Sequence, residues 1–498
     1  MAFKVTIVGA GSIGFTRWIM RDLLSVPEFR AIEVAFTDIS EGNLAMVAEL
    51  CQRDIEANGL PVRIQSTTDR REALRGAKYV FCTFRVGGLD AFETDIEIPL
   101  KYGIDQCVGD TLSAGGIMYG QRGIAEMMSL CRDIRETAAK DVLLLNHANP
   151  LAMLTWACNK YGGVNTVGLC HGVQGGHHQI ASALGLKQEE VDIICAGINH
   201  QTWYVQVRYQ GEDMTGKLLE AFENDPYMRE FEKVRIDMLR RFGYYSTESN
   251  GHLSEYVPWY RKRPDEIMDW IDIRGWIAGE TGGYLRICME EREWFKADFP
   301  NWLKAPAVVY GPDERGVEHG SYIVEALETG RLYRGHFNVV NNGIISNLPS
   351  DAIVEAPGYA DASGIHMPVV GELPLGPAAV CQASISVQRL AVEAAIHGDD
   401  LLLRQAFMMD PLVGAVCNPP EIWQLVDEML IAGEKWLPQY GEAIAKAKTR
   451  QAAGGLLPTR EGYRGAARLR TRTLEELKAE RESWAKHLSA ADQVQLEH

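Results

Sequence analysis

The chain has 498 residues and a formal net charge of −17, with 50 Lys and Arg against 67 Asp and Glu. This acidic balance excludes nucleic acid and anionic membranes as main partners, because both require a basic binding face. The chain is 46% hydrophobic and 23% charged, without a run of apolar residues long enough to span a membrane. We therefore expect a globular protein with a large buried core.

The cysteines and the N-terminal segment indicate the compartment. Ten cysteines are scattered along the chain without a C-x-x-C pair, which predicts reduced thiols and neither a disulfide framework nor a zinc knuckle. The N-terminal MAFKVTIVGAG passes directly into a strand-like run and lacks the pattern of a signal peptide. We expect a cytoplasmic protein.

The first 200 residues alternate strand-like runs with amphipathic stretches. The apolar runs are KVTIVGAG, IEVAFTDI, VRIQSTTD, KYVFCTFRVGG, VLLLNHANP and VNTVGLCHG. Between them, residues 16–25, 41–58, 120–139 and 151–161 show the 3.6-residue recurrence of covering helices. The fold class predicted over residues 1–200 is α/β, with a doubly wound parallel sheet of the Rossmann type.

The regular alternation ends after about residue 200. Residues 217–300 contain helical stretches, residues 305–380 are rich in Gly, Pro and Asn, and helices dominate from residue 382 onwards. This pattern predicts a large second domain of α+β type over residues 201–498. The charged segment TLEELKAERESWAKH near the C-terminus is expected to form a solvated or subunit-packing helix.

A glycine loop follows the first strand. Gly9, Gly11 and Gly14 match G-x-G-x-x-G, which allows a tight turn, close approach to a pyrophosphate and packing of helix on strand. Asp38 ends the second strand, where an acid bonds a ribose diol and repels a 2′-phosphate, so NAD is favoured over NADP. A nucleotide-free Rossmann relative is the alternative. The predicted cofactor-binding residues are Gly9, Gly11, Ser12, Ile13, Gly14 and Asp38.

Polar segments follow several predicted strands. They are RVGG at 85–88, GDTLSAGG at 109–116, NHANP at 146–150, CHGVQ at 170–174 and GINH at 197–200. Ligands of doubly wound sheets bind outside the carboxyl ends of the strands, so we expect these segments to converge. Each of these segments, taken alone, also has a purely structural explanation. Asn149 and Pro150 could form a helix-capping turn, and Cys170 could be a small buried apolar residue.

Taken together, the motifs resemble one family. In order along nearly the whole chain, its glycine loop, FRVGGLDAFETDIEIPLKYGI, DTLSAGG, NHANP, CHGVQ, AGINH, TESNGHLSEYVPW and NNGIISNLPSDAIVEAPGYAD are similar to the NAD- and manganese-dependent family 4 glycoside hydrolases. The resemblance implies a nucleotide domain like that of lactate and malate dehydrogenases. It also implies that Cys170 and His200 hold a divalent ion, usually Mn²⁺, with positions left open for sugar hydroxyls. His177 and His178 are then expected at the exposed start of a helix, without a metal role.

The resemblance implies an unusual route of glycoside hydrolysis. It proceeds through transient NAD-dependent oxidation at C3, metal-stabilised loss of the C2 proton, elimination and addition of water. Tyr256 matches the family's base, and its phenol, with an ordinary pKa of about 10, would need nearby positive charge. The alternative is that Tyr256 only packs beside Trp259.

Further residues are assigned to the sugar by the same resemblance. Asn149 matches a substrate-binding asparagine, and His171 and Gly172 lie where the metal motif varies with substrate. Asp110 is a candidate acid or hydroxyl ligand near the leaving group, or else the cap of its own loop. The second domain would contribute to the substrate and metal site and to a homo-oligomer, a dimer or tetramer.

Two departures from the family pattern concern the substrate. Members that act on 6-phosphorylated sugars carry CN after the metal strand and an arginine where this chain has Phe92. An aromatic ring cannot make the bidentate contacts that bind phosphate, so we predict an unphosphorylated glycoside. Likeness along the chain favours the melibiase-type α-galactosidase branch. However, those members have CHSV, whereas CHG occurs in α-glucuronidases and related uronidases such as α-galacturonidases, which makes Gly172 the uncertain position.

Two alternative functions, from other classes of protein, stay open. A NAD-dependent dehydrogenase of the lactate and malate type shares the nucleotide domain and would accumulate NADH. Cys170, His200 and the extended second domain argue against it, because those dehydrogenases need no thiolate-bound metal. A nucleotide-binding regulator without turnover is the third possibility.

Overall fold

The computed structural model describes residues 3–485. Within this range thirteen strands form one sheet. They are β1 (Lys4–Val8), β2 (Glu33–Thr37), β3 (Ile64–Thr67), β4 (Tyr79–Cys82), β5 (Leu143–Asn146), β6 (Thr166–Gly168), β7 (Val191–Ile198), β8 (Gln201–Tyr209), β9 (Glu212–Asp213), β10 (Tyr245–Ser246), β11 (Tyr333–Val340), β12 (Ile353–Asp361) and β13 (Gly364–His366).

The first six strands are parallel and lie in the order β3-β2-β1-β4-β5-β6. The central strands β1, β4 and β5 are almost entirely buried, because helices cover both faces of the sheet. Their nearly continuous apolar sequences follow from this burial. All six predicted strands and the Rossmann order are confirmed.

The sheet is surrounded by helices. They are α1 (Ile13–Leu24), α2 (Glu41–Ala57), α3 (Arg70–Leu74), α4 (Gly88–Lys101), α5 (Ser113–Thr137), α6 (Leu151–Ala157), α7 (Gly172–Ala183), α8 (Leu218–Asn224), α9 (Pro226–Phe231), α10 (Lys233–Phe242), α11 (Asn250–Ser254), α12 (Ile267–Trp270), α13 (Gly283–Trp302), α14 (His319–Thr329), α15 (Leu375–His397), α16 (Asp400–Met409), α17 (Pro411–Val416), α18 (Pro419–Ala432), α19 (Gly441–Ala452) and α20 (Leu474–Ala485). The four predicted helices of the first half correspond to α1, α2, α5 and α6. None of the helices within residues 3–485 combines the length and the apolar character that a bilayer crossing requires.

The second half of the chain extends the Rossmann sheet. β6 pairs antiparallel with β11 through Gly168 and Asn338, and the order continues β11-β12-β7-β8-β10. The later strands are antiparallel to their neighbours and are mixed with helices, as the α+β pattern predicted. The predicted boundary at residue 200 lies in the turn between β7 and β8, and the division into two domains stays a prediction.

The charged C-terminal helix forms as expected over its described part, α20. Leu477 is buried against the rest of the chain, and Arg472, just before the helix, pairs with the buried Glu290 of α13. Arg481 pairs with Glu291 on the same helix. This helix therefore packs on α13 of its own chain. The last two residues of the predicted segment, 486–487, lie outside the described residues.

Candidate active site

The glycine loop makes a tight turn between β1 and α1. Gly9 has φ of 90°, and its N–H donates to the carbonyl of Thr37 at 2.9 Å. A Cβ at Gly9 would lie 2.7 Å from the backbone nitrogen of Phe84, just after β4. Because both the dihedral angle and the space exclude a side chain, only glycine fits here.

Gly11 brings the loop against the acid at the end of β2. Its N–H donates to Oδ2 of Asp38 at 2.9 Å, and the N–H of Ser40 donates to Oδ1 at 2.8 Å. A Cβ at Gly11 would lie 2.9 Å from that Oδ2, so a larger residue would displace Asp38. Asp38 is only half-buried, and each oxygen keeps a lone pair for a ribose hydroxyl.

The start of α1 completes the nucleotide loop. Ser12 is its N-cap residue, and Ile13 and Gly14 begin the helix, whose unpaired N–H groups favour an anion. Gly14 is exposed, and a Cβ there would meet no heavy atom within 4 Å. The close helix packing expected at Gly14 is therefore wrong, because the loop makes its close contact at Gly9. The loop, the helix start and the acid together still fit a dinucleotide.

Three side chains of metal-ligand type meet near the carboxyl ends of β6 and β7. Cys170 follows β6, His200 lies in the β7–β8 turn and Glu248 follows β10. Within the described part of the chain, one ligand atom from each lies within 4.8 Å of the other two. A thiolate, an imidazole and a carboxylate fit a divalent transition metal and leave coordination positions open. Cys170 and His200 are the predicted ligands, whereas sequence reasoning missed Glu248.

The electrostatics of the cluster favour a neutral imidazole. Burial lowers the pKa of His200 to about 4. Burial, reinforced by Glu355 and Glu248, raises the pKa of the Cys170 thiol well above its ordinary value. Burial alone would raise the pKa of Glu248, but His200 and neighbouring histidines outweigh it and hold that pKa below its ordinary value. His200 and Glu248 are thus in ligating form at neutral pH, and Cys170 must lose a proton to bind a metal.

The backbone at His200 is unusual. Its φ is 61°, in the left-handed region that costs a residue with a Cβ about 1–2 kcal/mol. The turn between the paired strands β7 and β8 imposes this conformation. Such strain is typical of functional sites, where the surrounding structure holds a side chain in place.

Tyr256 lies beside the metal cluster. Its hydroxyl is 3.2 Å from Nδ1 of His200, and its ring packs on His252 with 4.8 Å between centroids. Tyr256 is buried, and burial, reinforced by Glu255, raises its pKa well above the ordinary value. Trp259, the alternative packing partner, instead contacts the rings of Phe242 and Tyr260 and is 42% exposed.

Asp110 connects several predicted residues. Its Oδ2 accepts hydrogen bonds from Asn149 Nδ2 and from Arg85, both at 3.1 Å. Its Oδ1 accepts from the hydroxyl of Thr111 at 3.0 Å, and that hydroxyl lies 3.2 Å from Nδ1 of His200. The loops predicted to converge therefore do meet. They connect Arg85, which follows β4, to the candidate metal ligands Cys170, His200 and Glu248.

The loop-capping alternative for Asp110 is not what the structure shows. The N–H of Ser113, at the start of α5, donates to Oδ2 of Asp410 at 2.9 Å. Asp410 also caps α17, and burial raises its pKa to about 6. Asp110 instead accepts its hydrogen bonds from side chains inside the site.

The guanidinium of Arg85 lies in an aromatic cage to which Phe92 contributes one ring. The guanidinium of Arg85 lies 4.2 Å from the ring centroid of Phe92, 4.6 Å from that of Tyr119 and 5.5 Å from that of Tyr284. Phe92 is completely buried. Because Arg85 is paired with Asp110, its positive charge is already compensated within the protein.

His171 and Gly172 stand at the start of α7. Nδ1 of His171 lies 3.0 Å from Oε1 of Glu318, and the imidazole is 61% exposed. A Cβ at Gly172 would lie 3.3 Å from Oε2 of Glu248 and 3.6 Å from Sγ of Cys170. Gly172 therefore borders the metal cluster directly, and a side chain there would crowd it.

The paired histidines lie further along the same helix. His177 and His178 occupy the middle of α7, so their expected place at the helix start is wrong. The helix begins at Gly172, two residues after Cys170, because only a short connection joins β6 to α7. Nε2 of His177 contacts the carbonyl of Val191 at 2.7 Å, and His178 is exposed. Neither belongs to the metal cluster.

Comparison with known proteins identifies the family. The model described as "Family 4 glycosyl hydrolase" matches residues 4–186, and that of the "Family 4 glycosyl hydrolase C-terminal domain" matches residues 195–413. An alpha-galactosidase of Rhizobium meliloti (strain 1021) is 57% identical over 483 residues, which cover 97% of this chain and 98% of the relative. The chain belongs to the family 4 glycosyl hydrolases.

Solved structures share the fold. A 6-phospho-alpha-glucosidase from gut microorganisms, solved with NAD and glucose-6-phosphate, has a TM-score of 0.72 and 28% identity, over 88% of this chain and 99% of that one. A second 6-phospho-alpha-glucosidase from gut microorganisms, solved with NAD and Mn²⁺, has a TM-score of 0.73 and 20% identity, with the same coverage. The Rossmann fold with its helical second half is thus the architecture of the family.

Proposed function

We propose that this chain hydrolyses unphosphorylated α-galactosides, with NAD and Mn²⁺ or another divalent ion as cofactors. One observation carries the proposal: the cluster of Cys170, His200 and Glu248 lies at the same edge of the sheet as the nucleotide loop. A hydride acceptor and a metal can therefore meet at one sugar. The 57% identity to an alpha-galactosidase supports the choice of substrate.

The residues present fit both cofactors. Gly9, Gly11 and Asp38 would hold the dinucleotide, and the cluster of Cys170, His200 and Glu248 would hold the metal. When bound, they would supply a reversible hydride acceptor for C3 and a Lewis acid for the adjacent hydroxyl oxygens.

The side chains of the chain itself would orient the sugar and move its proton. Asn149, held by Asp110, presents an amide that can bond ring hydroxyls. Tyr256, in its phenolate form, would be the base for the C2 proton, because it lies next to the metal ligand His200 and the charge of a bound metal would offset its raised pKa. His171, at the exposed end of the cluster, would contact the sugar.

The site supports an unphosphorylated substrate. Phe92 is buried beneath Arg85, and Arg85 is already paired with Asp110, so neither offers a free cation to a phosphate. The carboxylates of Glu248 and Glu318 flank Gly172 and His171, and they would repel a further anion on the sugar.

A uronidase is the second candidate, favoured by one observation. Gly172 has no side chain beside Glu248, where a Cβ would lie 3.3 Å from Oε2 and would crowd the site. That space could admit a C6 carboxylate if His171 paired with it.

The test is an assay with nitrophenyl α-galactoside, its 6-phosphate, α-glucuronide and α-galacturonide, each with NAD, Mn²⁺ and a reductant. We expect turnover of the unphosphorylated α-galactoside, dependence on NAD and loss with EDTA. Faster turnover of a uronide would instead establish the second candidate. Net accumulation of NADH would indicate a dehydrogenase, and activity independent of both NAD and metal would refute the mechanism.

We also propose a cytoplasmic homo-oligomer, a dimer or tetramer. All ten cysteines are free thiols, which is typical of a reducing compartment. Leu375 at the start of α15 and Met409 at the end of α16 are 85% and 56% exposed, and they are candidates for subunit contacts. Light scattering during size-exclusion chromatography tests the oligomer, which a monomeric mass would refute.

A further inference from the structure

The two nitrogens of the His200 imidazole face different partners. Nε2 lies 3.3 Å from Oε2 of Glu248, on the side of the metal cluster. Nδ1 lies 2.9 Å from Nε2 of His252. A metal held with Glu248 is therefore bound through Nε2 of His200, and the proton of the neutral imidazole stays on Nδ1.

This arrangement also determines the tautomer of His252. Because Nδ1–H of His200 donates, Nε2 of His252 must accept, and the proton of a neutral His252 lies on its own Nδ1. That Nδ1 is 3.2 Å from Oε1 of Glu255, within reach of an N–H···O contact but without the alignment of a full hydrogen bond. Both side chains are buried, His252 at 4% and Glu255 at 1% exposure.

Glu255 is held rigidly by the backbone. Its carboxylate accepts the N–H groups of Cys107 at 2.8 Å, Val108 at 3.2 Å and Gly109 at 3.1 Å. These three residues directly precede Asp110, so the same loop carries a sugar-site residue and anchors Glu255. A carboxylate with three backbone donors cannot rotate away from His252.

We propose that His252 and Glu255 are positioning residues, which hold the metal ligand His200 in the tautomer and orientation that bind through Nε2. The inference rests on the proposed metal site. Histidine ligands commonly donate their second N–H to a fixed acceptor, and loss of that acceptor weakens metal binding by about 10- to 100-fold. The hydroxyls of Thr111 and Tyr256 are also near Nδ1 but further away, both at 3.2 Å. His252 as the acceptor leaves the Tyr256 hydroxyl available to the substrate.

The test compares His252→Gln with His252→Leu. The Gln side-chain oxygen can accept the proton of His200 Nδ1, whereas Leu fills the space without accepting it. We expect Mn²⁺ binding to the NAD-loaded protein, measured by calorimetry, to weaken about 10- to 100-fold in His252→Leu and to stay within about threefold of the wild type in His252→Gln. The cobalt–thiolate absorption of the Co²⁺ form should change in His252→Leu alone. His177→Gln, which alters a histidine outside the cluster, is the matched control.

The outcomes separate this inference from the proposed function. Equal losses in His252→Leu and His252→Gln would indicate a packing role and overturn the inference, as would an unchanged Mn²⁺ affinity in a folded His252→Leu. If His252→Leu does not fold, Glu255→Gln takes its place, and we expect about tenfold weaker Mn²⁺ binding there. Unchanged binding in Glu255→Gln would equally refute the inference. A wild-type chain that binds no Mn²⁺ would refute the metal site itself.

Discussion

The carboxylate of Asp110 accepts a hydrogen bond from the side-chain amide of Asn149, with 3.1 Å between Oδ2 and Nδ2. The same oxygen pairs with Arg85, and the other accepts from Thr111. Both oxygens of the Asp110 carboxylate are thus engaged as acceptors. We therefore infer that Asp110 orients Asn149 towards the sugar, and that it is not the acid that protonates the leaving group.

Asp110→Asn tests this inference. The variant leaves the partly buried Arg85 without its partner, so we expect a loss of about 3 kcal/mol in the free energy of unfolding. Misplacement of Asn149 should lower kcat/KM by about 100-fold. The loss should be equal for nitrophenyl α-galactoside and for an alkyl α-galactoside with a poor leaving group. Urea denaturation and steady-state kinetics measure both effects. A loss confined to the alkyl substrate would restore Asp110 as the acid, because an activated leaving group needs no proton.

Gly11→Val should weaken NAD binding. The new Cβ would lie 2.9 Å from Oδ2 of Asp38 and 3.1 Å from Cβ of Asn43, so both the loop and Asp38, the proposed ribose-binding acid, would move. We expect NAD affinity, measured by calorimetry, to fall at least about tenfold, equivalent to about 1.4 kcal/mol. Gly216→Ala is the control, since Gly216 lies outside the nucleotide loop and a Cβ there meets nothing within 4 Å. Equal NAD affinities in the two variants would contradict the assignment of the loop.

Tyr256→Phe removes the proposed base and keeps the ring. The ring contact with His252 is retained, so the fold and the affinity for NAD should not change. We expect kcat to fall by about 10²- to 10⁴-fold, the usual contribution of a general base. Exchange of the C2 proton of the substrate with D₂O, followed by NMR, should stop. Continued exchange at the wild-type rate would exclude Tyr256 from proton transfer.

Metal binding should release one proton. Burial keeps the Cys170 thiol protonated at pH 7, whereas His200, with a pKa of about 4, is already neutral. Below the pKa of the thiol, Mn²⁺ affinity should therefore rise about tenfold with each unit of pH. Calorimetry in two buffers with different ionisation enthalpies counts the protons released. A count of zero, or an affinity independent of pH between 6 and 8, would show that the thiolate is not a ligand.

The Rossmann half of the fold is predictable from sequence because its central strands β1, β4 and β5 are buried on both faces. Each is a short apolar run, and the intervening helices carry the 3.6-residue pattern. The helix α4 was missed because it begins next to two glycines and contains Pro99 near its end, both of which weaken a helical pattern. The pairing of Gly168 with Asn338 joins distant parts of the chain, and no local pattern encodes it.

The site was predictable only where a motif identified the residue. Cys170 and His200 belong to short motifs that follow strands, and the structure brings them together. Glu248 and His252 lie in the same motif as Tyr256, but nothing in their spacing marks one as a ligand and the other as its partner. Their roles depend on the β7–β8 turn and α11 meeting in space, which is a tertiary relationship.

The pair of His171 and Glu318 should stabilise the fold within a defined range of pH. The hydrogen bond with Glu318 raises the pKa of His171 to about 9; burial opposes ionisation of Glu318, but His171 outweighs it and the pKa falls to about 2. The contribution of His171 to the free energy of unfolding is complete below pH of about 6.5 and is lost as pH rises to about 9. The contribution of Glu318 to the free energy of unfolding is complete above pH of about 4.5 and is lost as pH falls to about 2.

Glu318→Gln tests this window. Since His171 is 61% exposed, we expect solvent screening to limit the stabilisation to about 0.5–1 kcal/mol. The difference between wild type and variant in the free energy of unfolding, from urea titrations, should be largest between pH of about 4.5 and 6.5. It should shrink towards pH 9, where His171 loses its charge. His397→Gln, which removes an exposed histidine paired with Glu393, is the control for a general effect of charge. A difference that stays constant from pH 5 to pH 9 would show that the pair acts through packing and not through its charges.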